Sequence, residues 1–311
     1  MRIPLAMIGI ALLASPLFAE NPAAPFTIQQ TGQGFQRLSD AVAAIGEGSA
    51  TILIAAGTYR QCAVQDAGDI RYQAVMPGSA IFDGVACEGK AALVLGGRAA
   101  TVEGVVFRNI RVADDNGAGI RLERGDLTVR QSMFLNSQQG ILTASNPAGR
   151  ITVEFSTFAG LGLCPEGGSC AHSIYVGTYG ALAVRNCRFE RGTGGHYVKS
   201  RAARIAVTDS SFDDSAGRAT NYMIDLPAGA TGEISGNVFV QGKDKENYSA
   251  FIAVGAEEIE HSSAGLAIRG NTASLASGLD RRTSFVADWS HDSLTLADNV
   301  LGKGLKAFET R

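Results

Sequence analysis

The sequence is poor in charge, proline and tryptophan. Charged residues make up 18% of its 311 residues, where about 25% is typical, and it has 8 prolines and one tryptophan. Low charge combined with 45% hydrophobic residues excludes an intrinsically disordered chain, which needs the opposite balance. A net charge of −3 excludes general nucleic-acid binding, which requires a broad basic surface. Glycine is abundant, with 38 residues, but it lacks a three-residue period, so collagen is excluded as well.

The N-terminus has the form of a secretory signal peptide. Arg2 gives a positive start, residues 3–13 are an apolar run, and the small residue Ala19 ends a cleavage region. The apolar run is shorter than the ~20 residues of a membrane-spanning helix. We therefore expect residues 1–19 to be removed and the mature chain, residues 20–311, to be secreted or periplasmic, without membrane association after cleavage.

Export would place the five cysteines in an oxidising compartment, where disulfides persist. We predict one bridge between Cys62 and Cys87 and another between Cys164 and Cys170, which flank a turn-like segment; free buried thiols are the alternative for both pairs. Cys187 is left without a partner. No Cys-x-x-Cys or clustered Cys/His spacing is present, so we predict no metal and no cofactor. Calcium held by oxygen ligands from separate segments remains an open alternative.

One strand-like pattern recurs along the chain. Segments of alternating apolar and polar residues end in phenylalanine, as in LTVRQSMF at 127–134 and ITVEFSTF at 151–158. These phenylalanines are Phe107, Phe134, Phe158, Phe189, Phe212 and Phe239. Two residues before each lies a small or amide side chain, which predicts an internal ladder between stacked coils. Its members are Val105, Ser132, Ser156, Cys187, Ser210 and Asn237, continued by Asn271 and Asn299.

A second short strand precedes each of these segments, and glycines separate the strands. This repeat predicts an all-β fold, a single-stranded right-handed parallel β-helix forming one domain, with recognisable coils from about 100 to 302. A helix at residues 35–46 is predicted to cap the open N-terminal end. The helix followed by ILIAAGTYRQ at 52–61 resembles the N-terminal start of pectate lyases, pectin esterases and their relatives. The resemblance implies the pectate-lyase-like fold and says little about the reaction.

Outward positions of the second strand align across coils that are about 4.8 Å apart. Taking the apolar residues as inward, the aligned outward column reads Arg121, Leu142, Tyr175, Lys199 and Asp225. The predicted catalytic residues on and beside this face are Tyr175, Tyr197, Lys199, Arg201, His172 and His196. The predicted substrate-binding residues are Arg121, Asn221 and Asp225. Strict alternation would point both histidines inward, but that rule is unreliable at the entry to a strand.

This cluster suggests an enzyme that cleaves an acidic, uronate-containing polysaccharide by β-elimination. The reaction needs a cation to neutralise the uronate carboxylate, a base to remove the C5 proton and an acid to protonate the leaving oxygen. Lys199 and Arg201 would supply the cation, Lys, His or Tyr the base, and Tyr175 or Tyr197 the acid. Many β-helix polysaccharide lyases resemble this arrangement. The acidic polysaccharide is the expected partner, and the protein is expected to be a monomer.

Three alternatives compete with the lyase hypothesis. A non-catalytic carbohydrate-binding or cell-envelope protein would use the same face, although Trp289 has few outward aromatic neighbours in the pattern. A glycoside hydrolase needs convergent carboxylates, and the sequence offers only Asp225 and more distant acids. Finally, Lys199 and Asp225 are equally consistent with a surface ion pair worth ~0–1 kcal/mol and no function.

Overall fold

The computed structural model describes residues 24–165 and 169–311, so the predicted signal peptide lies outside the described residues. Within this part, the chain is a right-handed parallel β-solenoid built from three long sheets of twelve, ten and ten strands. One α-helix is present in the same part. No helix there is both long and apolar enough to cross a membrane.

The elements follow one another in a simple order. The first are β1 (Phe26–Ile28), β2 (Gly34–Phe35), α1 (Leu38–Ile45), β3 (Ser49–Ile54), β4 (Gly57–Tyr59), β5 (Ala63–Gln65), β6 (Asp69–Ala74), β7 (Ala80–Asp83), β8 (Ala91–Leu95), β9 (Ala99–Glu103) and β10 (Val105–Arg108). The middle ones are β11 (Ala118–Leu122), β12 (Asp126–Arg130), β13 (Met133–Leu135), β14 (Gln139–Thr143), β15 (Asn146–Glu154), β16 (Thr157–Ala159), β17 (Ile174–Val176), β18 (Tyr179–Arg185), β19 (Arg188–Glu190), β20 (Val198–Ser200), β21 (Arg204–Thr208) and β22 (Ser211–Asp213). The last are β23 (Ile224–Leu226), β24 (Thr231–Ser235), β25 (Val238–Gln241), β26 (Ala250–Val254), β27 (Ala267–Arg269), β28 (Thr272–Leu275), β29 (Thr283–Asp288), β30 (Thr295–Ala297), β31 (Val300–Leu301) and β32 (Leu305–Thr310).

Each turn of the solenoid contributes one strand to each of three sheets. Sheet A has the order β2-β1-β3-β6-β9-β12-β15-β18-β21-β24-β27-β30. Sheet B runs from β4 through β7, β10, β13, β16, β19, β22, β25 and β28 to β31, and sheet C from β5 through β8, β11, β14, β17, β20, β23, β26 and β29 to β32. Only β1 pairs antiparallel, with β2 and β3, among the strands of the described part. The predicted fold class is therefore confirmed.

The repeated motif forms the core of the solenoid. The phenylalanines stack in register inside sheet B, with ring centroids 4.7 Å apart both from Phe134 to Phe158 and from Phe189 to Phe212. The ladder two residues earlier is also confirmed, because a side-chain oxygen accepts the backbone N–H of the ladder residue in the coil before it at six of the eight positions. These six are Ser132, Ser156, Ser210, Asn237, Asn271 and Asn299. Ser210 Oγ accepts from Cys187 at 3.0 Å. Cys187 itself is free and buried, as predicted.

The ends of the solenoid differ from the sequence-based boundaries. The capping helix begins at Leu38, not at residue 35, because Phe35 belongs to β2 and pairs with Phe26. Gly46, with φ of 57°, ends the helix. Parallel coils begin at Ser49 and not near residue 100, since Tyr59 and Phe82 occupy the phenylalanine position without the full motif. At the other end, β32 extends sheet C beyond residue 302.

Both predicted disulfides are present. Cys62 and Cys87 join the capping region to the next coil, with their Cα atoms 5.5 Å apart. Cys164 and Cys170 close a short loop between sheets B and C. Stacked coils with these two bridges give a rigid support on which residues from different turns take up defined positions.

Candidate active site on sheet C

The predicted outward column is real and lies on sheet C. Leu142 pairs with Tyr175, Tyr175 with Lys199, and Lys199 with Asp225 in parallel register. The next position in the column is Ala253, so the large polar side chains occupy three consecutive coils and then stop. Sequence spacing therefore placed Tyr175, Lys199 and Asp225 next to one another correctly.

Asp225 is the buried centre of the cluster, with 2% of its surface exposed. Its Oδ2 lies 3.1 Å from Lys199 Nζ and 3.5 Å from His196 Nε2. Its Oδ1 is buried and has no hydrogen-bond partner. Burial disfavours the carboxylate more strongly than Lys199 favours it, so the pKa of Asp225 is raised to about 6. An unpaired buried oxygen is costly, which is typical of a group held in place for function.

The two histidines lie side by side next to Asp225. The backbone N–H of His196 donates to His172 Nδ1 at 3.0 Å, so that nitrogen carries a lone pair. His196 Nδ1 lies 3.2 Å from the same atom. On the other side of the His196 ring, Nε2 faces Asp225 Oδ2 at 3.5 Å. Burial, reinforced by nearby positive charge, lowers the pKa of both histidines well below 6.5, so both are neutral at neutral pH.

Glu257 joins the cluster from the turn after β26 and was missed by the sequence analysis. Its Oε1 accepts from Lys199 Nζ at 2.5 Å, and its Oε2 accepts from the Arg201 guanidinium. Burial alone would lower the pKa of Lys199, but Asp225 and Glu257 raise it, so the ammonium is retained. Burial opposes ionisation of Glu257, yet both cations lower its pKa. Glu257 and Arg201 both lie in turns that follow sheet C strands. This shared position was the sequence feature that could have predicted Glu257 as part of the cluster.

Tyr175 completes the accessible part of the cluster. Its hydroxyl is 3.4 Å from Arg201 Nε, and the edge of its ring packs against His172 with centroids 5.3 Å apart. Tyr175, Lys199 and Arg201 are all half-buried, whereas Glu257 is exposed. A phenol, an ammonium and a guanidinium therefore share one solvent-accessible surface above a buried Asp–His–His group.

Tyr197 is not part of this surface, contrary to the prediction. It is 1% exposed and packs in the core against Phe189 and Phe212. The Tyr197 hydroxyl donates to Asp214 at 2.8 Å. Burial raises the pKa of Tyr197 well above 10, and the charge of the Asp214 carboxylate adds to this effect. The prediction failed because β20 begins at Val198, and the corner before it breaks the alternation. The same break turns His196 towards Asp225 and not into the core.

The predicted substrate-binding residues fall at different distances from the cluster. Asp225 is its centre, as described above. Asn221 sits at the rim, where its side chain bonds Glu246 and the backbone N–H of Tyr222. Arg121 lies two coils above Tyr175 in the column and pairs with Glu123 at 3.2 Å, so the structure does not bring it to Lys199.

Aromatic side chains border the cluster on the side of the later coils. Tyr222 contacts His196, with centroids 5.7 Å apart, and lies 6.5 Å from Trp289. Both pack over the small residues Ala253 and Ala287 of the outward column. The sequence pattern indicated few aromatic neighbours for Trp289, but in the structure it lies beside Tyr222. The alanines leave room for these rings beside Asp225.

The donor set of the cluster does not resemble a metal site, since cations occupy its carboxylates. Across residues 24–165 and 169–311, one group of His, Cys, Asp or Glu side chains has ligand atoms close enough for a metal: Cys164, Cys170 and Glu246. Its two sulfurs are bonded to each other. Within the described residues, this group therefore does not supply the set of oxygen ligands that calcium would need.

Comparison with known proteins identifies the architecture. A family model described as right handed beta helix region matches residues 91–301, more than half of the chain. Among solved structures, the chain is similar to ORF18 of Geobacillus virus E2, with 13% identity and a TM-score of 0.53 over 87% of this chain and 55% of that one. It is also similar to pectin methylesterase from Aspergillus niger, with 10% identity and a TM-score of 0.50 over 92% of this chain and 91% of that one.

A third similar structure is the pectate lyase Pel9A, with 17% identity and a TM-score of 0.49 over 92% of this chain and 77% of that one. The chain spans about half the length of the viral protein. No curated protein matches the chain. At these identities the similarity shows the fold alone, and the chemistry has to be argued from the residues of the cluster.

Proposed function

This chain belongs to the right-handed β-helix family, and we propose that it is an exported enzyme that cleaves an acidic, uronate-containing polysaccharide by β-elimination. The observation that carries the proposal is the accessible contact between the Tyr175 hydroxyl and Arg201, with the Lys199 ammonium in the adjacent coil. Two disulfides support the exported location, because such bridges persist in oxidising compartments.

β-Elimination places negative charge on the uronate carboxylate when the C5 proton is removed. The electron pair of the C5–H bond forms the C4–C5 double bond, the C4–O4 bond breaks, and the leaving oxygen takes a proton. Lys199 and Arg201 would bind the carboxylate and stabilise that charge, in a site where preorganised cations are most effective. Lys199 acts as a cation and not as the base, because its pKa is raised.

Both proton transfers are assigned to Tyr175, whose oxygen would take the C5 proton as the base and whose hydroxyl would then give a proton to the leaving O4. Within the described residues, Tyr175 is the half-buried tyrosine of the cluster, whereas Tyr197 is buried. Arg201 Nε donates to the Tyr175 hydroxyl oxygen at 3.4 Å, which orients that oxygen at the accessible surface. Asp225 and the two histidines lie below this surface, so they position Lys199 and Tyr175 without touching the substrate.

In the free protein, Glu257 occupies the cations that the substrate needs. Its carboxylate bridges Lys199 and Arg201 as a uronate carboxylate would. Because the backbone N–H of Glu257 is tied to Pro227 at 3.1 Å, exchange requires the side chain to swing away and not the whole turn to open. A neutral or esterified sugar would lack the charge to displace Glu257, which makes the site selective for acidic chains.

A second candidate, glycoside hydrolysis, is favoured by one observation. Asp225 Oδ2 and Glu257 Oε1 both contact Lys199 Nζ, at 3.1 and 2.5 Å, so these two oxygens are at most about 6 Å apart. That limit is compatible with the ~5–5.5 Å between the carboxyl groups of retaining glycosidases. The pKa of Asp225 is raised and that of Glu257 is lowered, a pattern typical of an acid and a nucleophile. Against it, Asp225 is 2% exposed and does not reach a glycosidic oxygen in this arrangement.

The test is incubation with alginate, pectate, hyaluronan and bacterial acidic exopolysaccharides. New reducing ends accompanied by the ultraviolet absorbance of unsaturated uronate support the lyase, whereas reducing ends without that absorbance support the hydrolase. Binding without cleavage indicates a carbohydrate-binding protein and overturns both. We expect Tyr175→Phe and Lys199→Ala to abolish cleavage, and the matched controls Tyr248→Phe and Lys303→Ala to leave it unchanged.

A further inference from the structure

We propose that the corner between sheets B and C carries a second binding groove, in which Arg111, Arg191 and Arg218 hold a distant part of the acidic polysaccharide. The proposal rests on the proposed function, because it takes its ligand from that substrate class. It adds a binding site that lies outside the Tyr175–Lys199–Arg201 surface and determines how long a chain the protein prefers.

The groove has a volume of about 640 Å³ and is lined by the three arginines together with Asn136 and Thr193. Each arginine follows a different sheet B strand: Arg111 follows β10, Arg191 follows β19 and Arg218 follows β22. These strands and the two between them belong to five consecutive coils, a length on the order of 19 Å along the solenoid axis. The groove is therefore long enough for several linked sugars.

The charge of the groove is unbalanced. Within the described residues, Arg111 and Arg218 form no ion pair with a carboxylate, and Arg191 pairs with Glu190 at 3.2 Å. Three cations directed at one groove repel one another, in a chain whose net charge is −3. Such a concentration of one sign attracts anions, and guanidinium groups bind carboxylates in a bidentate manner. Repeated carboxylates on a uronate chain match arginines placed on separate coils.

The groove is preformed and adjoins the active-site cluster. The backbone N–H of Arg218 donates to Gly192 at 2.8 Å, and that of Thr193 donates to Leu161 at 2.7 Å, so neighbouring turns hold its walls. Thr193 lies three residues before His196, and Arg218 lies three residues before Asn221. Three residues span at most about 10 Å, so one polysaccharide chain reaches from the groove to the rim of the cluster.

The experiment compares long chains of pectate, alginate and hyaluronan with their trimers, using calorimetric binding at several salt concentrations. The variant is Arg111→Ala/Arg191→Ala/Arg218→Ala. Its control is Arg150→Ala/Arg185→Ala/Arg204→Ala, which removes the same charge from exposed positions of sheet A. We expect the groove variant to lose about tenfold or more in affinity for long chains, with a salt dependence weaker by about two to three released ions. Trimer binding and cleavage should stay as in the wild type.

Each other result overturns the proposal in a distinguishable way. Unchanged long-chain affinity, or an equal loss in the sheet A control or in trimer binding, removes the groove and leaves the proposed function standing. A wild-type chain that binds none of the polysaccharides overturns both. Tighter arginine-dependent binding of single-stranded DNA than of any polysaccharide also overturns it, since the ligand class would then be wrong. Matching circular dichroism and urea midpoints show that both triple variants are folded.

Discussion

Replacing Lys199 by methionine tests whether its ammonium holds a charge on the buried Asp225. The two groups are 3.1 Å apart, and Asp225 has 2% of its surface exposed. Removing one partner of a buried pair leaves an uncompensated charge, which is strongly unfavourable. Asp225 avoids that cost by staying protonated, so the destabilisation should depend on pH.

The size of the effect follows from the pKa of Asp225, which burial raises from 3.8 to about 6 in the folded chain. A carboxyl with a raised folded pKa loses stability as pH rises from its unfolded pKa through the folded one. In the wild type that loss ends near pH 6. Without the ammonium the pKa rises further, and the loss continues at about 1.4 kcal/mol per pH unit. Relative to the wild type, the free energy of unfolding of the variant should therefore fall by about 1.4 kcal/mol at pH 7 and by about 3 kcal/mol at pH 8. Both figures come in addition to any difference already present at pH 5.5.

The assay is urea unfolding of Lys199→Met at pH 5.5, 7 and 8, comparing midpoints at an unchanged m value. The control is Lys199→Met/Asp225→Asn, in which the titrating group is absent, so its difference from the wild type should no longer grow above pH 6. Removing Lys199 also removes one of the charges that lower the pKa of both histidines. This change stabilises the folded variant at low pH, so it too makes the destabilisation smaller at pH 5.5 than at pH 8. A destabilisation of Lys199→Met that is equal at pH 5.5 and 8 would refute the reasoning.

Three further predictions concern the solenoid. Phe189→Ala removes a ring stacked 4.9 and 4.7 Å from its neighbours and should cost about 3–5 kcal/mol in urea unfolding; a cost below 1 kcal/mol contradicts continuous packing. Asp214→Asn leaves Lys245, whose side chain is fully buried, without its charge partner, and should cost about 3–5 kcal/mol, partly recovered by adding Lys245→Met. Cys62→Ser/Cys87→Ser opens a 25-residue loop and should cost about 3 kcal/mol, seen as a lower Tm; an unchanged Tm contradicts it.

The strand positions of the solenoid could be predicted because two regular periods act together. Alternation along a strand determines the face, and the repeat along the chain determines the neighbour in the next coil. Phe158 and Phe189 are 31 residues apart, yet they stack at 4.9 Å, because the extra residues fall in a loop between strands. The same logic predicts from the sequence alone that Tyr175, Lys199 and Asp225 lie in one column, as they do in sheet C.

Corner and turn residues could not be predicted in this way, because neither period continues through them. Tyr197 lies two positions before Lys199, which alternation would put on the same face, but it sits at a corner and points into the core. Residues 243–247 are mostly charged, a composition typical of a solvated turn. In the structure, Lys245 folds inward to contact Asp214 at 3.1 Å and Thr220 at 3.0 Å.

The division between strands and turns also explains why only part of the cluster could be predicted from the sequence. Asp225 and Lys199 are held by strand pairing, so their contact follows from register alone. Arg201 and Glu257 lie 56 residues apart in turns of unequal length, and their contact depends on the path of each turn. In the proposed function, the turn residues are nevertheless the ones that the substrate engages or displaces. In this fold, selectivity for acidic chains would therefore depend on the turns, while the strands below them supply fixed charges and stability.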